Sequence, residues 1–423
     1  MTVDAPVRAL PRSYVVWLSG FALARLGDAV LAFALGWAAA ELGGTTAALV
    51  VTLGAAPRLV LLVVGGAVAD RSGARRLLVA GEATLLALTV ALAPALARFG
   101  TPTWLLVAAS LGLGTVTALC LPASGSMPRR LVPDDQLARA LAVRQGVGQV
   151  VLMTAAPLGG VLVGTVGLPA VAWGAAVTLG VSVGVLVAVR ERPGPAAGGP
   201  CAGRPRARGL DVAGGLRVVG RTPGLRGALL LLGAGAALLL PVPSVLVPLL
   251  GRASGWGPGA TGAVTGALGL GVIGAALLPA RRRAPRRVGS PASALVVSAG
   301  GALVLAVGPV LGGPAAVVVA AVGALVLGCG NGTFVALLAP VVLGSAPRTH
   351  LARVQALAGL VQLAPVLVTT TALGALAEHT STGWALTSTA AGLAACAAGA
   401  RRQAAHAAGS RPGLTLAWVE GPQ

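Results

Sequence analysis

The stretch Gly66-Ala67-Val68-Ala69-Asp70-Arg71-Ser72-Gly73-Ala74-Arg75-Arg76 lies between two apolar runs, Ala47–Ala69 and Leu77–Ala97. Each run has about the 20 residues an α-helix needs to cross a hydrocarbon core about 30 Å thick. The stretch therefore reads as a tight, charged hairpin between two membrane helices. Short cytoplasmic loops are commonly basic, which accounts for Arg75 and Arg76. It does not account for Asp70 or for the spaced Gly66 and Gly73. A helix N-terminus carries partial positive charge, so Asp70 sits where a carboxylate can cap or pair with a neighbouring helix. Gly66 and Gly73 permit close helix approach and a sharp turn. Arg71, Arg75 and Arg76 can pair with carboxylates or lipid phosphates. Together these six positions give the hairpin a physical role beyond that of a basic loop.

Composition places the hairpin in a polytopic membrane protein. Of 423 residues, 56% are hydrophobic and 10% charged, and the mean hydropathy is +0.88. A soluble domain carries about 25% charged residues. Reading apolar runs at membrane-spanning length gives twelve helices. The first six are Tyr14–Ala40, Ala47–Ala69, Leu77–Ala97, Thr101–Leu121, Gln145–Val166 and Leu168–Val189. The second six are Gly224–Leu250, Gly259–Ala280, Gly289–Leu311, Pro314–Ala339, Ala352–Ala377 and Gly383–Ala400. The last is the weakest, being mostly Ala, Gly and Thr. The predicted fold class is an all-α membrane protein of two six-helix repeats. Its parts are an N-terminal half (1–189), a cytoplasmic linker (190–223), a C-terminal half (224–400) and a cytoplasmic tail (401–423).

The formal charge of +20 comes from 31 basic residues, all arginine. A nucleic-acid domain would gather them with aromatics on one soluble face. Here they fall between apolar runs, which excludes that class and makes them topology signals. With both termini cytoplasmic, the outer loops hold only Arg98 and Arg252, as the positive-inside rule favours. Arg25 and Arg58 lie inside spans. Arg8 and Arg12 ahead of the first span suit a cytoplasmic start. Cys120, Cys201, Cys329 and Cys396 show no metal-ligand spacing and no disulfide framework, and no cofactor is expected. Without any lysine, no nucleotide loop of the Gly-x-x-x-x-Gly-Lys type exists. His350, His379 and His406 form no cluster with other catalytic residue types, which argues against an intramembrane enzyme.

The two halves carry a weak internal repeat. Leu137-Ala138-Arg139-Ala140-Leu141 follows Pro122, and Leu351-Ala352-Arg353-Val354-Gln355 follows Pro340. Both join the fourth and fifth spans of their half, and parallel six-helix repeats are a transporter arrangement. The second copy of the hairpin, Gly274 to Arg283, keeps the arginines but has no Asp and no second Gly at the matching place.

The spacing Gly-x-x-x-Asp-Arg-x-Gly-x-Arg-Arg resembles the loop between the second and third helices of major facilitator superfamily transporters. In that family the loop gates the exchange between inward- and outward-open states. Arg25-Leu26-Gly27-Asp28 with Glu41-Leu42, and Pro122 with Leu131-Val132-Pro133-Asp134-Asp135-Gln136-Leu137, look like the macrolide-efflux and siderophore-exporter branch. The resemblance implies a plasma-membrane secondary transporter exporting a small amphipathic or apolar molecule, with proton antiport the leading coupling. Uptake by the same fold, or a non-transporting sensor or scaffold, remains open at this point. Drug–proton antiporters of the family usually have Gly-Pro and then paired glycines in span five. Here Ala155-Ala156-Pro157-Leu158-Gly159-Gly160 keeps Pro157 and the pair Gly159 and Gly160, expected in span packing, but lacks the first Gly. Span four has no arginine for coupling.

Ionisable residues inside spans are costly and usually face a cavity or a partner. Arg25 and Asp28 share a helix face at i, i+3, and Arg58 falls at similar depth on span two. These three carry the intramembrane charge, with Asp28 the best proton carrier, although permanent pairing with either arginine competes with that role. Glu82 is expected to pair with the loop arginines. Gln145 with Gln149, Asn331, and Gln355 with Gln362 are further polar candidates for a cavity. Such residues serve interhelical hydrogen bonding more often than ligand contact. Trp17, Trp37, Trp104, Trp173, Trp256 and Trp384 read as interfacial anchors. The expected partners are a small-molecule substrate, a proton and the lipid bilayer, with the protein a monomer and no nucleic acid bound.

Overall fold

The computed structural model describes residues 9–61, 74–189, 223–281, 290–344 and 351–409. Gly66, Asp70, Arg71 and Gly73 of the hairpin lie outside the described residues, as do the linker to residue 222 and the arginines of 282–287. Among the described residues every regular element is helical. They are α1 (Arg12–Glu41), α2 (Gly44–Ala55, within a span continuing to Leu61), α3 (Ala74–Phe99), α4 (Thr103–Leu131) and α5 (Asp134–Ala188). There follow α6 (Pro223–Leu239), α7 (Val247–Ala253), α8 (Pro258–Arg281), α9 (Pro291–Val307), α10 (Gly313–Gly344), α11 (Leu351–His379) and α12 (Thr382–Gly409).

Ten of these segments are long and apolar enough to cross a membrane. One of them, the 55-residue α5, breaks at Gly167, where φ is 81° and ψ is 167°. Only glycine takes that backbone cheaply, and Pro169 suits the first turn of the helix that resumes. The element is thus two spans joined at the predicted boundary. A further helix, α12, has the length of a span, but its Ala, Gly and Thr content keeps its hydropathy low. α6 and α7 form one span around a π-helical turn, Val242–Leu246. Pro241 and Pro243 remove backbone donors there, and the Ser244 hydroxyl donates to Leu240 O at 2.9 Å.

The connector Pro122–Val143 is more helical than the apolar pattern alone indicates. α4 runs on to Leu131, and α5 starts at Asp134, directly after Pro133. Asp134 and Asp135 lie in the first turn of α5, where carboxylates favour the helix dipole.

Contacts divide the chain into two compact units. The first holds the described residues of Met1–Asp211 with Gly251–Gly266, and the second those of Val212–Leu250 with Ala267–Gln423. In the first, α1 packs on α5, α3 on α4 and α5, and α2 on α4. In the second, α6 packs on α11, and α9 on α10 and α12. The pairs α1–α5, α3–α4 and α3–α5 thus recur as α6–α11, α9–α10 and α9–α12, the signature of a repeat.

Apolar burial cannot drive this packing in lipid, so small residues and close backbones do. A Cβ on Gly160 would collide with the Pro258 carbonyl, and Gly262 meets the Ala156 carbonyl in the same way. At the Asp134 end of the first unit, Tyr14, Trp17, Met127, Leu131 and Ala140 form a buried cluster. Within it the Tyr14 hydroxyl donates to Ala140 O at 2.6 Å. Large exposed apolar side chains such as Leu152, Val177 and Val310 make a surface suited to lipid.

Candidate functional site

The first unit carries a row of charges inside its spans. At about 1.5 Å per residue, Asp28 lies about 24 Å from the Arg12 end of α1 and about 20 Å from the Glu41 end. Arg58 lies about 21 Å into its span from Gly44, and Glu82 about 12 Å into α3 from Ala74. Arg25 Nη1 approaches Asp28 Oδ2 at 3.9 Å. That exceeds the 2.7–3.2 Å of an N–H···O hydrogen bond, so the contact is a loose ionic one. The two side chains are 40% and 26% exposed.

Arg58 is half-buried and lies within electrostatic reach of Arg25. Its Nε is buried and has no hydrogen-bond partner. Glu82 is half-buried beside Ser182, which is within hydrogen-bonding reach of its carboxylate, and it also feels Asp28. Its Oε2 is buried and unpartnered. Arg58 thus neighbours Arg25, and Glu82 neighbours Asp28 and Ser182. The expected pairing of Glu82 with the hairpin arginines involves Arg71, which lies outside the described residues; among the described residues the neighbours of Glu82 are Ser182 and Asp28. One hairpin arginine is engaged elsewhere: Arg75 donates to Leu186 O at 3.2 Å and Val187 O at 2.9 Å. These are last-turn carbonyls of α5, where a cation satisfies orphan acceptors and the helix dipole. Arg76 is exposed.

On α5, Gln145 and Gln149 are exposed, while Ala156 and Gly160 on the same face are buried against 258–266. That face is closed at one end and open toward Asp134. Gly159 backs onto Phe33 and the Val30 carbonyl, and Pro157 meets Gly266. In the second unit Asn331 is half-buried on α10. Gln362 Nε2 donates to Ala358 O within α11 at 3.1 Å. Gln355 is helical, and its side chain lies outside the described residues.

One cluster was not foreseen. Arg252 Nη2 lies 2.9 Å from Glu41 Oε2 and 3.3 Å from Trp37 O, and its guanidinium sits 4.0 Å from the Trp37 ring centroid. It holds the 251–266 segment to the end of α1 within the first unit. Trp17, Trp37 and Trp256 are buried in helix packing, so of the six anchors only Trp104, Trp173 and Trp384 are exposed. Among the described residues no group of His, Cys, Asp and Glu could hold a metal ion.

A family model described as Major Facilitator Superfamily matches residues 17–370. Among solved structures, a bacterial homologue of the iron transporter ferroportin, in its inward-facing state, is 17% identical, covering 93% of this chain and 99% of its own, with a TM-score of 0.68. The nucleoside transporter NupG is 12% identical, with coverage of 92% and 98% and a TM-score of 0.69. A POT family transporter in complex with a thioalcohol-conjugated peptide is 13% identical, with coverage of 94% and 96% and a TM-score of 0.69. At such identities the likeness is one of fold. No curated protein matches the chain.

Proposed function

From the premise that the chain belongs to the Major Facilitator Superfamily, and is a multi-pass membrane transporter of small molecules rather than an enzyme, we propose that it exports a small amphipathic molecule in exchange for protons. The halves are 1–189 and 224–400, joined by the 190–223 linker, in a plasma-membrane monomer with cytoplasmic termini. They alternate access to a cavity lined in part by Gln145 and Gln149. The hairpin positions Gly66, Asp70, Arg71, Gly73, Arg75 and Arg76 form the gate. The resemblance of Arg25–Asp28 and of the Pro122–Leu137 connector to the macrolide-efflux and siderophore-exporter branch supports the outward direction.

Asp28 is the proton carrier. The observation that carries this reading is its place in mid-span, 26% exposed and 3.9 Å from Arg25. A carboxylate in so loose a contact can exchange a proton, whereas a structural ion pair in hydrocarbon demands close, fully hydrogen-bonded geometry.

The test is flux in proteoliposomes under pH gradients of both signs, using a panel of fluorescent amphipathic dyes. Proton-driven export predicts dye movement against the imposed proton gradient, and loss of that dependence in Asp28→Asn. Dye accumulation along the proton gradient would establish uptake instead. Flux indifferent to both the gradient and Asp28→Asn would refute proton coupling through Asp28.

A further inference from the structure

In the first unit α4 packs on α2 and α3, and α5 on α1 and α3, rather than on each other. Arg144, near the start of α5, reaches both α1 and α4. Its guanidinium lies 4.9 Å from the centroid of the Phe21 ring on α1, and its Nη2 lies 3.4 Å from Ser124 Oγ on α4. The positions around it are apolar and unfilled. Leu121, one turn from Ser124, and Leu141, one turn from Arg144, are exposed. A Cβ on Gly125, beside Ser124, or on Gly148, one turn along α5, would meet nothing within 4 Å.

The guanidinium is least satisfied where it is best shaped to bind. Nε and Nη2 form one edge of it, the edge that takes both oxygens of a carboxylate. Nε is buried and has no hydrogen-bond partner. The Nη2 contact at 3.4 Å is long beside the usual range of about 2.7–3.2 Å, and the Ser124 hydroxyl already donates to Leu121 O at 2.9 Å. Among the described residues Arg144 forms no ion pair. Asp134 and Asp135 lie about 14 Å back along the helix. Phe21 and Arg25 are one turn apart on α1, at i and i+4, so the ring that carries Arg144 sets a second guanidinium beside it, within electrostatic reach. Asp28, 3.9 Å from Arg25, offsets one of these two cations. Arg58 and Glu82 neighbour that pair and add one charge of each sign. The cluster keeps one positive charge in surplus, and its vacant donor edge is on Arg144.

A surplus cation with a vacant two-donor edge among apolar side chains suits an anion on an apolar body. A cationic ligand would be repelled, and a neutral one would leave the surplus charge uncompensated. From the juxtaposition of Arg144, Phe21 and Ser124, with Arg25 one turn along α1, we infer that the transported molecule is an organic carboxylate. Arg144 takes both of its oxygens through Nε and Nη2, displacing the Ser124 hydroxyl, and the apolar body lies along Leu121 and Leu141. Arg144 is about 35 Å along α5 from the Gly167 break, and Phe21 about 30 Å along α1 from Glu41. The site therefore lies toward the Asp134 ends of the spans, the cytoplasmic side of the topology proposed above, where an exporter loads. Arg25 stands between it and Asp28 along α1, so the ligand and the proton carrier hold separate guanidiniums. This names the substrate class within the transporter reading above and rests on it.

The test measures equilibrium binding to the purified full chain in nanodiscs of zwitterionic lipid. The probes are matched acids and amides on two apolar frames, 1-naphthaleneacetate with 1-naphthaleneacetamide and octanoate with octanamide. The inference predicts that on at least one frame the acid binds about tenfold or more tighter than its amide, a gap of about 1.4 kcal/mol. Arg144→Gln should close that gap by weakening the acid, while the amide stays within about twofold of its wild-type affinity. Arg144→Lys keeps the charge without the two-donor edge and should restore only part of the gap. Ser124→Ala removes the hydroxyl that the ligand displaces and should leave the acid as tight as in the wild type or tighter.

The wild-type series alone can overturn the inference, whether or not a variant folds. Amides that bind as tightly as the acids on both frames refute it, and so does binding of none of the four probes. A gap that survives Arg144→Gln, or a loss there shared equally by acid and amide, refutes the role of Arg144. Those outcomes leave proton-driven export standing, because the dye flux assay decides it separately. Conversely, proton-indifferent flux with the carboxylate preference intact removes the coupling and keeps the site.

Discussion

Replacing Arg252 with alanine removes three contacts whose worth can be set from the structure. Its ion pair with Glu41 is short, at 2.9 Å, but the two side chains are 29% and 60% exposed. Screening at such a site leaves about 0.2–1 kcal/mol. The guanidinium lies 4.0 Å from the centroid of the Trp37 ring, and a cation over an indole face contributes about 0.5–1 kcal/mol at a partly exposed site. The bond to Trp37 O is long, at 3.3 Å, and falls at the low end of the usual 0.5–1.5 kcal/mol or so. Arg252→Ala should therefore cost about 1–3 kcal/mol in all. The assay is reversible unfolding in mixed micelles, arranged as two double-mutant cycles with Glu41→Ala and Trp37→Leu. The Glu41 coupling should shrink as salt rises, because exposed charges are screened. The Trp37 coupling should hold. Couplings indistinguishable from zero in both cycles would refute the assignment, and so would a Trp37 coupling that disappears with salt.

Other substitutions read different parts of the packing. Gly160→Ala drives a methyl into the Pro258 carbonyl and the Gly262 backbone and should cost about 1–3 kcal/mol in the same unfolding assay. Gly146→Ala, where a Cβ meets nothing within 4 Å, should instead gain about 0.5–1 kcal/mol from helix propensity. Tyr14→Phe deletes the buried bond to Ala140 O at a cost of about 0.5–1.5 kcal/mol. Arg75→Ala uncaps the last turn of α5, and faster amide hydrogen exchange at Leu186 to Val189 should report it, with Arg75→Lys intermediate.

The fold was legible because its determinant is local. Apolar runs of spanning length, arginines between them and the Gly167 break are all features of consecutive residues. What misled was also local. The tryptophans were placed by their nearness to span ends, although three of them turn inward.

The site was legible only in part. Arg25 and Asp28 share a helix face, so their pairing follows from helical period. Glu82 gave no such signal. Its neighbours Asp28 and Ser182 lie on other elements, and a basic hairpin nearby supplied a more obvious partner. Arg252 and Glu41 are 211 residues apart, and no periodicity relates them. In each case a charge's partner is fixed by tertiary packing, which composition and spacing do not encode.

The most direct measurement of the central claim separates proton movement from substrate movement at Asp28. Proteoliposomes holding a pH-sensitive dye are challenged with the amphipathic panel, and exchange of a transported member of that panel is followed in parallel. In the wild type, transport should change the internal pH. In Asp28→Asn, substrate-for-substrate exchange should persist while the pH signal disappears. An undiminished pH signal in Asp28→Asn would contradict proton coupling through this residue.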